Sequence, residues 1–149
     1  MLTFKQIKIE DVVPMRHKVL KIGQPIETCN FEGDLDEGTK HYGAFFNNEL
    51  VGVVTMMIKT SENFKVYKVY RLTGLSILPE YQHKNIGKRL LHFAEENISK
   101  KHSVMIWCFA RDYAINFYKK NGYQLNVQEV VIPHLGSHRI MFKFIAKED

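Results

Sequence analysis

The sequence predicts one α/β domain built on a mixed, mostly antiparallel sheet of six or seven strands flanked by helices. Segments that alternate apolar and polar residues are interrupted by segments of helical periodicity, in the order β-α-β-β-β-α-β-α-β-β. The run Val-Met-Ile-Trp-Cys-Phe at 104–109 is short and almost wholly apolar, as expected for a buried parallel strand. A length of 149 residues with 45% hydrophobic content can bury one core, so we expect a single domain over residues 1–149.

The first third of the chain reads as a strand, a helix and a long connection. Residues 2–9 alternate and predict a strand. We expect Asp11 to cap a helix that carries Pro14 in its first turn and ends at Gly23. Residues 24–40 are rich in Gly, Asp, Glu and Thr, which indicates a long loop, and loops of this length are usually functional.

The central third predicts three strands and a helix. Residues 41–46 and 50–58 form a hairpin around Asn47-Asn48, followed by a polar turn at 61–65. The run 66–78 is a long strand that Gly74 interrupts, which suggests a bulge or a close backbone approach. A helix with one apolar face covers residues 85–99.

The last third predicts a short helix and two strands after the apolar strand at 104–109. The helix covers residues 112–120 and ends at Asn121-Gly122, which we expect to supply left-handed backbone. The strands cover 123–132 and 138–146, with Pro133 and Gly136 between them. Neither of the two cysteines, Cys29 and Cys108, belongs to a disulfide or metal-binding pattern, so we expect buried thiols and no metal.

The most informative segment runs from the end of the fourth strand into the following helix, Leu75 to Leu91. The first amides of a helix have no intrahelical partner, and the helix dipole adds partial positive charge there. Such a turn can bind a pyrophosphate, with Gly87 allowing close approach and Asn85 adopting a positive φ. The residues alone also fit an ordinary strand-to-helix connection, and they match neither a Walker loop nor G-x-G-x-x-G.

Two motifs resemble the GNAT acyltransferase superfamily. Gln82-His-Lys-Asn-Ile-Gly87 is similar to its acyl-CoA loop, Q/R-x-x-G-x-G/A, with Asn85 in place of the first glycine. Downstream, Ala110 to Tyr123 resembles the segment N/R-x-x-A-x-x-F-Y-x-K-x-G-F/Y. The resemblance covers about residues 50–145, and the ending His138-Arg-Ile-Met-Phe-Lys143 is similar to the H-x-x-M-x-K of a subgroup of predicted N-acyltransferases, as are elements of 16–43.

The resemblance implies a splayed acyl-CoA cleft beside the fourth strand and acetyl-CoA, or another acyl-CoA, as co-substrate. Backbone groups of the strand would pair with pantetheine, amides of the loop would hold the pyrophosphate, and a residue of the short helix would contact the cofactor. The residues concerned are Leu75, Ser76, Ile77, Gln82, His83, Lys84, Asn85, Ile86, Gly87, Lys88 and Asn116. The side chains of Lys84 and Lys88 fit a solvated helix face equally well.

The resemblance further implies that Tyr118 protonates the thiolate of CoA as it leaves. The residues alone also allow Tyr118 to be one more core aromatic beside Phe117. The general base is open among His138, His41, Glu27 and Glu32, and a lone histidine is more often structural than catalytic. The acidic loop with Glu27, Glu32, Asp34 and Asp36 predicts an acceptor pocket, also lined by His41, that favours a cationic or polar amine, or else a solvated surface.

The function expected from these features is transfer of an acetyl or short acyl group to an amine of a small molecule or peptide. A catalytically silent acyl-CoA binder is the alternative, and a retained Tyr118 argues for the enzyme. The net charge of +5 is spread along the chain, so we expect no nucleic-acid partner. No segment has the apolar length of a signal peptide or a membrane span, which predicts a cytoplasmic location, and a homodimer is compatible with the sequence.

Overall fold

The computed structural model describes residues 1–59, 67–132 and 136–147, with the side chains of 127–138 outside the description. The predicted polar turn at 61–65 and Pro133 lie outside the described residues. The elements are β1 Leu2–Ile7, α1 Ile9–Val19, β2 Lys40–Phe46, β3 Glu49–Ile58, β4 Lys68–Ile77, α2 Ile86–Ser99, β5 Val104–Ala110, α3 Ile115–Lys120, β6 Gln124–Ile132 and β7 Gly136–Ile145. This is the predicted order of strands and helices.

The strands form one seven-stranded sheet in the order β1-β2-β3-β4-β5-β7-β6. The pairs β1–β2, β2–β3, β5–β7 and β6–β7 are antiparallel, whereas β4 and β5 are parallel. The predicted mixed, mostly antiparallel sheet is therefore confirmed. The chain divides into two compact units, the first comprising Met1–Ile58 with Leu72–Ile98 and the second comprising Lys59–Arg71 with Ser99–Asp149.

The first unit is organised around β3, whose residues from Val51 to Met57 are all buried. The β2–β3 hairpin turns at Asn47 and Asn48, which both have positive φ, at 47° and 70°. Two successive positive φ angles are typical of the two-residue turns that match strand twist, and Asn tolerates them better than most residues. The predicted hairpin is thus confirmed in detail.

Helix α1 begins earlier than its sequence signals indicated. It starts at Ile9, after Lys8 at the N-cap position, and no side chain caps it. Pro14 therefore lies inside the helix and not in its first turn, and the predicted cap at Asp11 is wrong. Ile9 stands three residues before the buried Val12, so an earlier start extends the apolar stripe of the helix.

In the second unit, the start of β4 pairs with β5 over Lys68–Arg71 and Val104–Trp107. The whole of β5 pairs with residues Arg139–Ile145 of β7, and β6 completes the antiparallel edge. Helix α3 is shorter than predicted, because residues Asp112–Ala114 form a 3₁₀ turn before it. The buried side chains of Val104, Ile106 and Cys108 place the core of this unit on β5.

The predicted interruption of β4 at Gly74 is confirmed, whereas the prediction of left-handed backbone at Asn121-Gly122 holds for Gly122 alone. Gly74 has φ +67°, as an interruption of β4 required, and a Cβ there would lie 3.2 Å from Arg16 Nε. Of Asn121 and Gly122, which follow α3, Gly122 alone has a positive φ. Asn121 has φ −101° and caps the helix through its side chain instead, because its Nδ2 donates to the carbonyl of Phe117 at 2.7 Å.

Within the described ranges, no helix is long and apolar enough to cross a membrane. The longest, α2, has 14 residues.

Candidate functional site

The turn between β4 and α2 presents a row of free backbone amides. Pro79–Tyr81 forms a 3₁₀ turn, His83 and Asn85 follow with φ 63° and 64°, and α2 begins at Ile86. Among the described residues, none accepts a hydrogen bond from the amides of residues 83–88, whereas Arg89 N donates to Asn85 O. Consecutive free amides with alternating positive φ at the start of a 14-residue helix make an anion-binding concavity.

The positive φ of Asn85 was predicted, and that of His83 was not. Imidazole and amide side chains are among the non-glycine types enriched in this backbone region, so both positions can be occupied without glycine. His83, Lys84, Asn85 and Lys88 are exposed, which leaves the mouth of the turn open to solvent. Ile86, by contrast, is buried and anchors the helix start.

Gln82 stabilises the turn through its side chain. Its Nε2 donates to the carbonyl of Ile77 at 2.9 Å, across the 3₁₀ turn. The Ile77 carbonyl keeps a second lone pair, and Ser76 is buried with its hydroxyl donating to Gly74 O at 3.0 Å. Pairing of Leu75, Ser76 and Ile77 with pantetheine stays a prediction.

Cations at this turn rest on aromatic rings. Lys84 Nζ lies 5.7 Å from the centroid of the Tyr81 ring, and the Arg89 guanidinium lies 5.3 Å from that of Phe4. The first turn of α2 holds no acidic residue. The turn therefore offers an anion both amide dipoles and positively charged side chains.

A buried polar network lies elsewhere in the first unit, centred on Arg16 of α1. Its guanidinium binds both oxygens of Asp34, at 2.7 and 2.9 Å, and also donates to Cys29 O and Thr55 Oγ1 at 2.8 and 2.9 Å. It stacks on the Phe31 ring at 3.8 Å. Because Arg16 is wholly buried, these contacts fix the long loop against α1 and β3.

His41 closes this network and is held neutral by it. Its Nε2 donates to the carbonyl of Asp34 at 3.1 Å, which leaves Nδ1 to accept from Thr55 Oγ1 at 2.7 Å. Burial lowers the pKa of His41 below its usual value, and the nearby Asp34 only partly opposes that shift. Both ring nitrogens of His41 are engaged, so this residue of β2 holds the long loop through Asp34 and has no free nitrogen to act as a base.

The acidic loop does not present all four carboxylates to solvent. Glu27, Glu32 and Asp36 are exposed, as expected for a negative surface. Asp34 is only 6% exposed and is neutralised by Arg16, so the expectation that it attracts a substrate amine is wrong. Asp34 also stabilises the loop itself, because its Oδ2 accepts a hydrogen bond from the amide of Phe31 at 2.7 Å.

In the second unit, Tyr118 of α3 packs against Cys108 of β5. The phenol is 8% exposed, packs edge-on with Phe117 and Tyr123, and lies beside the Cys108 thiol. Burial raises the pKa of the Cys108 thiol to about 12 and raises the pKa of the Tyr118 phenol as well. Both groups therefore carry their protons at neutral pH.

The remaining candidates of the second unit are less constrained. Asn116 is exposed on α3. The side chain of His138 lies outside the described residues, and its backbone pairs with Val130 in the β6–β7 ladder. Across the described residues, no three His, Cys, Asp or Glu side chains gather as metal ligands would.

The buried position of Arg16 and the partly buried position of Arg71 were not predicted from the sequence. Arg16 stands on the apolar stripe of α1, four residues after Val12, and Arg71 interrupts the apolar alternation of β4. A charged residue at a core-facing position is the sequence signal that could have identified both, since such a residue needs a buried partner or a ligand.

Comparison with known proteins gives consistent matches. The family model described as acetyltransferase (GNAT) domain matches residues 37–125. The uncharacterized N-acetyltransferase YitI of Bacillus subtilis (strain 168) is 30% identical over 143 residues, covering 96% of each chain.

Solved structures agree in fold. An aminoglycoside 6'-N-acetyltransferase complexed with coenzyme A superposes with a TM-score of 0.74 at 14% identity, covering 99% of each chain. The PaiA N-acetyltransferase of Thermoplasma acidophilum, in complex with coenzyme A, gives a TM-score of 0.68 at 24% identity over 97% of this chain and 99% of that one.

Proposed function

The chain belongs to the acetyltransferase (GNAT) family, and on this premise we propose that it transfers an acetyl or other short acyl group from acyl-CoA to an amine. The acceptor in this proposal is a small molecule or a peptide, which attacks directly in a ternary complex. Family membership favours this enzyme over a silent acyl-CoA binder. The observation that carries the proposal is the row of free amides at residues 83–88.

Those amides fit the pyrophosphate of CoA. Six consecutive N–H groups without an acceptor in the described chain can surround two phosphates, and the helix dipole of α2 adds to the attraction. Gly87 in the first turn lets a phosphate oxygen approach the backbone. We assign the pyrophosphate to His83, Lys84, Asn85, Ile86, Gly87 and Lys88, with Gln82 holding the shape of the turn.

In the transfer step, the amine nitrogen attacks the thioester carbonyl carbon. A carbon–nitrogen bond forms, the carbon–sulfur bond breaks, the amine gives its proton to a base, and the thiolate receives one. The phenol of Tyr118 is our proposed donor to the thiolate, because burial keeps it protonated. Its raised pKa disfavours complete transfer to sulfur, so Tyr118 donates a hydrogen bond to the developing negative charge. The proton that the base took from the amine then returns to the thiolate through solvent.

The base in this proposal is His138. Both ring nitrogens of His41 are engaged with Thr55 and Asp34, which favours a positioning role for that residue. Glu27 and Glu32 are exposed on the long loop, where they can attract a protonated amine toward the acceptor site. Asn116, exposed on α3, is proposed as a cofactor contact.

The proposal also covers the cellular location, the metal requirement and the partners of the protein. Acyl-CoA is a cytoplasmic metabolite, which supports a cytoplasmic location. The proposed chemistry needs no metal, because the amine and the thioester react once protons are managed. We name no nucleic acid and no membrane as partner, and a homodimer stays a prediction.

The test of the proposal has two stages. Calorimetry with acetyl-CoA and with desulfo-CoA should show saturable binding of both ligands. A panel of amines, amino-acid derivatives and short peptides is then screened with acetyl-CoA while free thiol is followed. Saturable acetyl-CoA binding without any acceptor-dependent thiol release would favour the silent binder, and absence of binding would overturn the proposal as a whole.

A further inference from the structure

Arg71 lies at the end of the part of β4 that pairs with β5, and its guanidinium lies against two aromatic rings of β5. Its backbone is in register with Trp107. The guanidinium carbon is 5.6 Å from the centroid of the Trp107 ring and 5.0 Å from that of the Phe109 ring. The centroids of the two rings are 5.2 Å apart in an edge-to-face arrangement, and both rings make cation–π contacts with the guanidinium.

This guanidinium is partly buried, and none of the described side chains supplies an anionic partner for it. Its Nε is buried and makes no hydrogen bond, and no carboxylate of a described side chain forms an ion pair with it. Burial lowers the pKa of Arg71 from its usual value, although a guanidinium stays charged at neutral pH. A desolvated cation of this kind gains much from a bound anion, since the cost of removing it from water has already been met.

The sequence of the second unit reinforces that preference. It carries twelve Lys and Arg residues against five Asp and Glu, whereas the first unit carries nine against eleven. Asp112 is the one acidic residue of the second unit whose side chain is described, and it is exposed. The potential around Arg71 therefore attracts negative charge.

We propose that Arg71, which lies against Trp107 and Phe109, binds a carboxylate of the acceptor, so that the acceptor is an amino acid or another amine that bears a carboxylate. This inference rests on the proposed acyl transfer. The planar guanidinium fork matches a carboxylate with two parallel N–H···O bonds, and one such cation balances the single charge of a carboxylate. The aromatic rings exclude water from these bonds, which strengthens them.

The test compares matched acceptors, amino acids and the corresponding amino-acid amides, with the wild-type protein and three variants. Arg71→Met keeps an apolar stem beside the rings and removes the charge. Arg71→Lys keeps the charge and removes the fork, and Arg111→Met removes an exposed arginine of the same unit as a control. Acetyl-CoA affinity, measured by calorimetry, and thermal unfolding are followed for each variant.

We expect the wild type to prefer the amino acid over its amide by roughly 10- to 100-fold in kcat/KM, mostly through KM. Arg71→Met should remove that preference, Arg71→Lys should retain part of it, and Arg111→Met should leave it unchanged. Acetyl-CoA affinity should be the same in all four proteins. N-acetylated amino acids should compete with the acceptor in the wild type, which tests the site even if Arg71→Met does not fold.

Three results would overturn the inference while leaving acyl transfer intact. One is a wild type that uses amides, or phosphate-bearing amines such as phosphoethanolamine, as well as amino acids. Another is an Arg71→Met protein that folds and keeps the preference. The last is a loss of acetyl-CoA affinity in Arg71→Met, which would assign the arginine to the co-substrate. Failure of acetyl-CoA to bind the wild type would instead overturn the proposed function itself.

Discussion

Arg16 and Asp34 form a bidentate ion pair inside the first unit, with Nη1–Oδ2 at 2.7 Å and Nη2–Oδ1 at 2.9 Å. The pair joins α1 to the long loop that precedes β2. Arg16 is wholly buried, and the same two nitrogens also donate to Cys29 O and Thr55 Oγ1, whereas its Nε is buried without a partner among the described residues, so Asp34 of this loop supplies its counter-charge. Tertiary contacts therefore fix the loop, although its many polar and acidic residues predict that it is exposed to solvent.

The first prediction concerns this pair. Asp34→Asn leaves the guanidinium buried without its counter-charge, so we expect a loss of about 3 kcal/mol in the free energy of unfolding. Asp36→Asn changes an exposed carboxylate of the same loop and should cost less than about 0.5 kcal/mol. Denaturant unfolding measures both. Equal stability of the two variants would mean that the ion pair does not hold the loop.

The second prediction is a pH dependence of stability that His41 causes. Its pKa is lowered in the folded protein, so below pH 6.5 the unfolded chain binds more protons at this residue. The stabilising contribution of neutral His41 is therefore complete above that pH and is lost as the pH falls below it. The free energy of unfolding should fall less between about pH 8 and about pH 5 in His41→Gln than in the wild type. His17→Gln, on α1, is the control, and the same slope in all three proteins would exclude His41 as the cause.

The third prediction tests the amide row before α2. Gly87→Glu places a side chain and a negative charge where we assign the pyrophosphate, so acetyl-CoA affinity should fall by roughly 100-fold or more. Gln6→Glu adds the same charge on the exposed face of β1 and should change affinity little. Calorimetry measures both, with circular dichroism as the folding control. A folded Gly87→Glu protein with wild-type affinity would place the pyrophosphate elsewhere.

The fourth prediction concerns Tyr118. Tyr118→Phe removes the hydroxyl that we assign to the departing thiolate, so kcat should fall by about 10²-fold while acetyl-CoA affinity stays the same. Tyr113→Phe, which alters an 84% exposed phenol of the same segment, is the control. Full turnover in Tyr118→Phe would exclude the assigned role.

The fifth prediction separates the base from the acceptor loop. His138→Ala should lower kcat and alter its pH profile, because the proposed base is then missing. Glu32→Gln should mainly raise the KM of a cationic acceptor, and Glu37→Gln, further along the loop, should raise it less. Steady-state kinetics with the acceptor found by screening measures all three. Unchanged constants in His138→Ala and Glu32→Gln would place the acceptor site elsewhere.

The sequence by itself determined the order of the elements and the turn between β4 and α2, where anion binding stays a prediction. Apolar periodicity depends on which faces are buried, and the Asn47-Asn48 hairpin and the positive φ of Asn85 depend on local backbone sterics. These are short-range effects, so neighbouring residues suffice to predict them. The start of α1 at Ile9 was missed because a distant apolar surface outweighed the cap signal of Asp11.

Only the tertiary structure decided which charged residues are buried and which groups they contact. Asp34 and Glu32 stand two residues apart in one acidic loop, yet the first is buried against Arg16 and the second is exposed. Arg71 gained its aromatic surroundings from β5, more than thirty residues later in the chain. Burial and partner choice depend on residues far apart in sequence, and the cost of desolvating a charge is set by those partners and not by its neighbours along the chain.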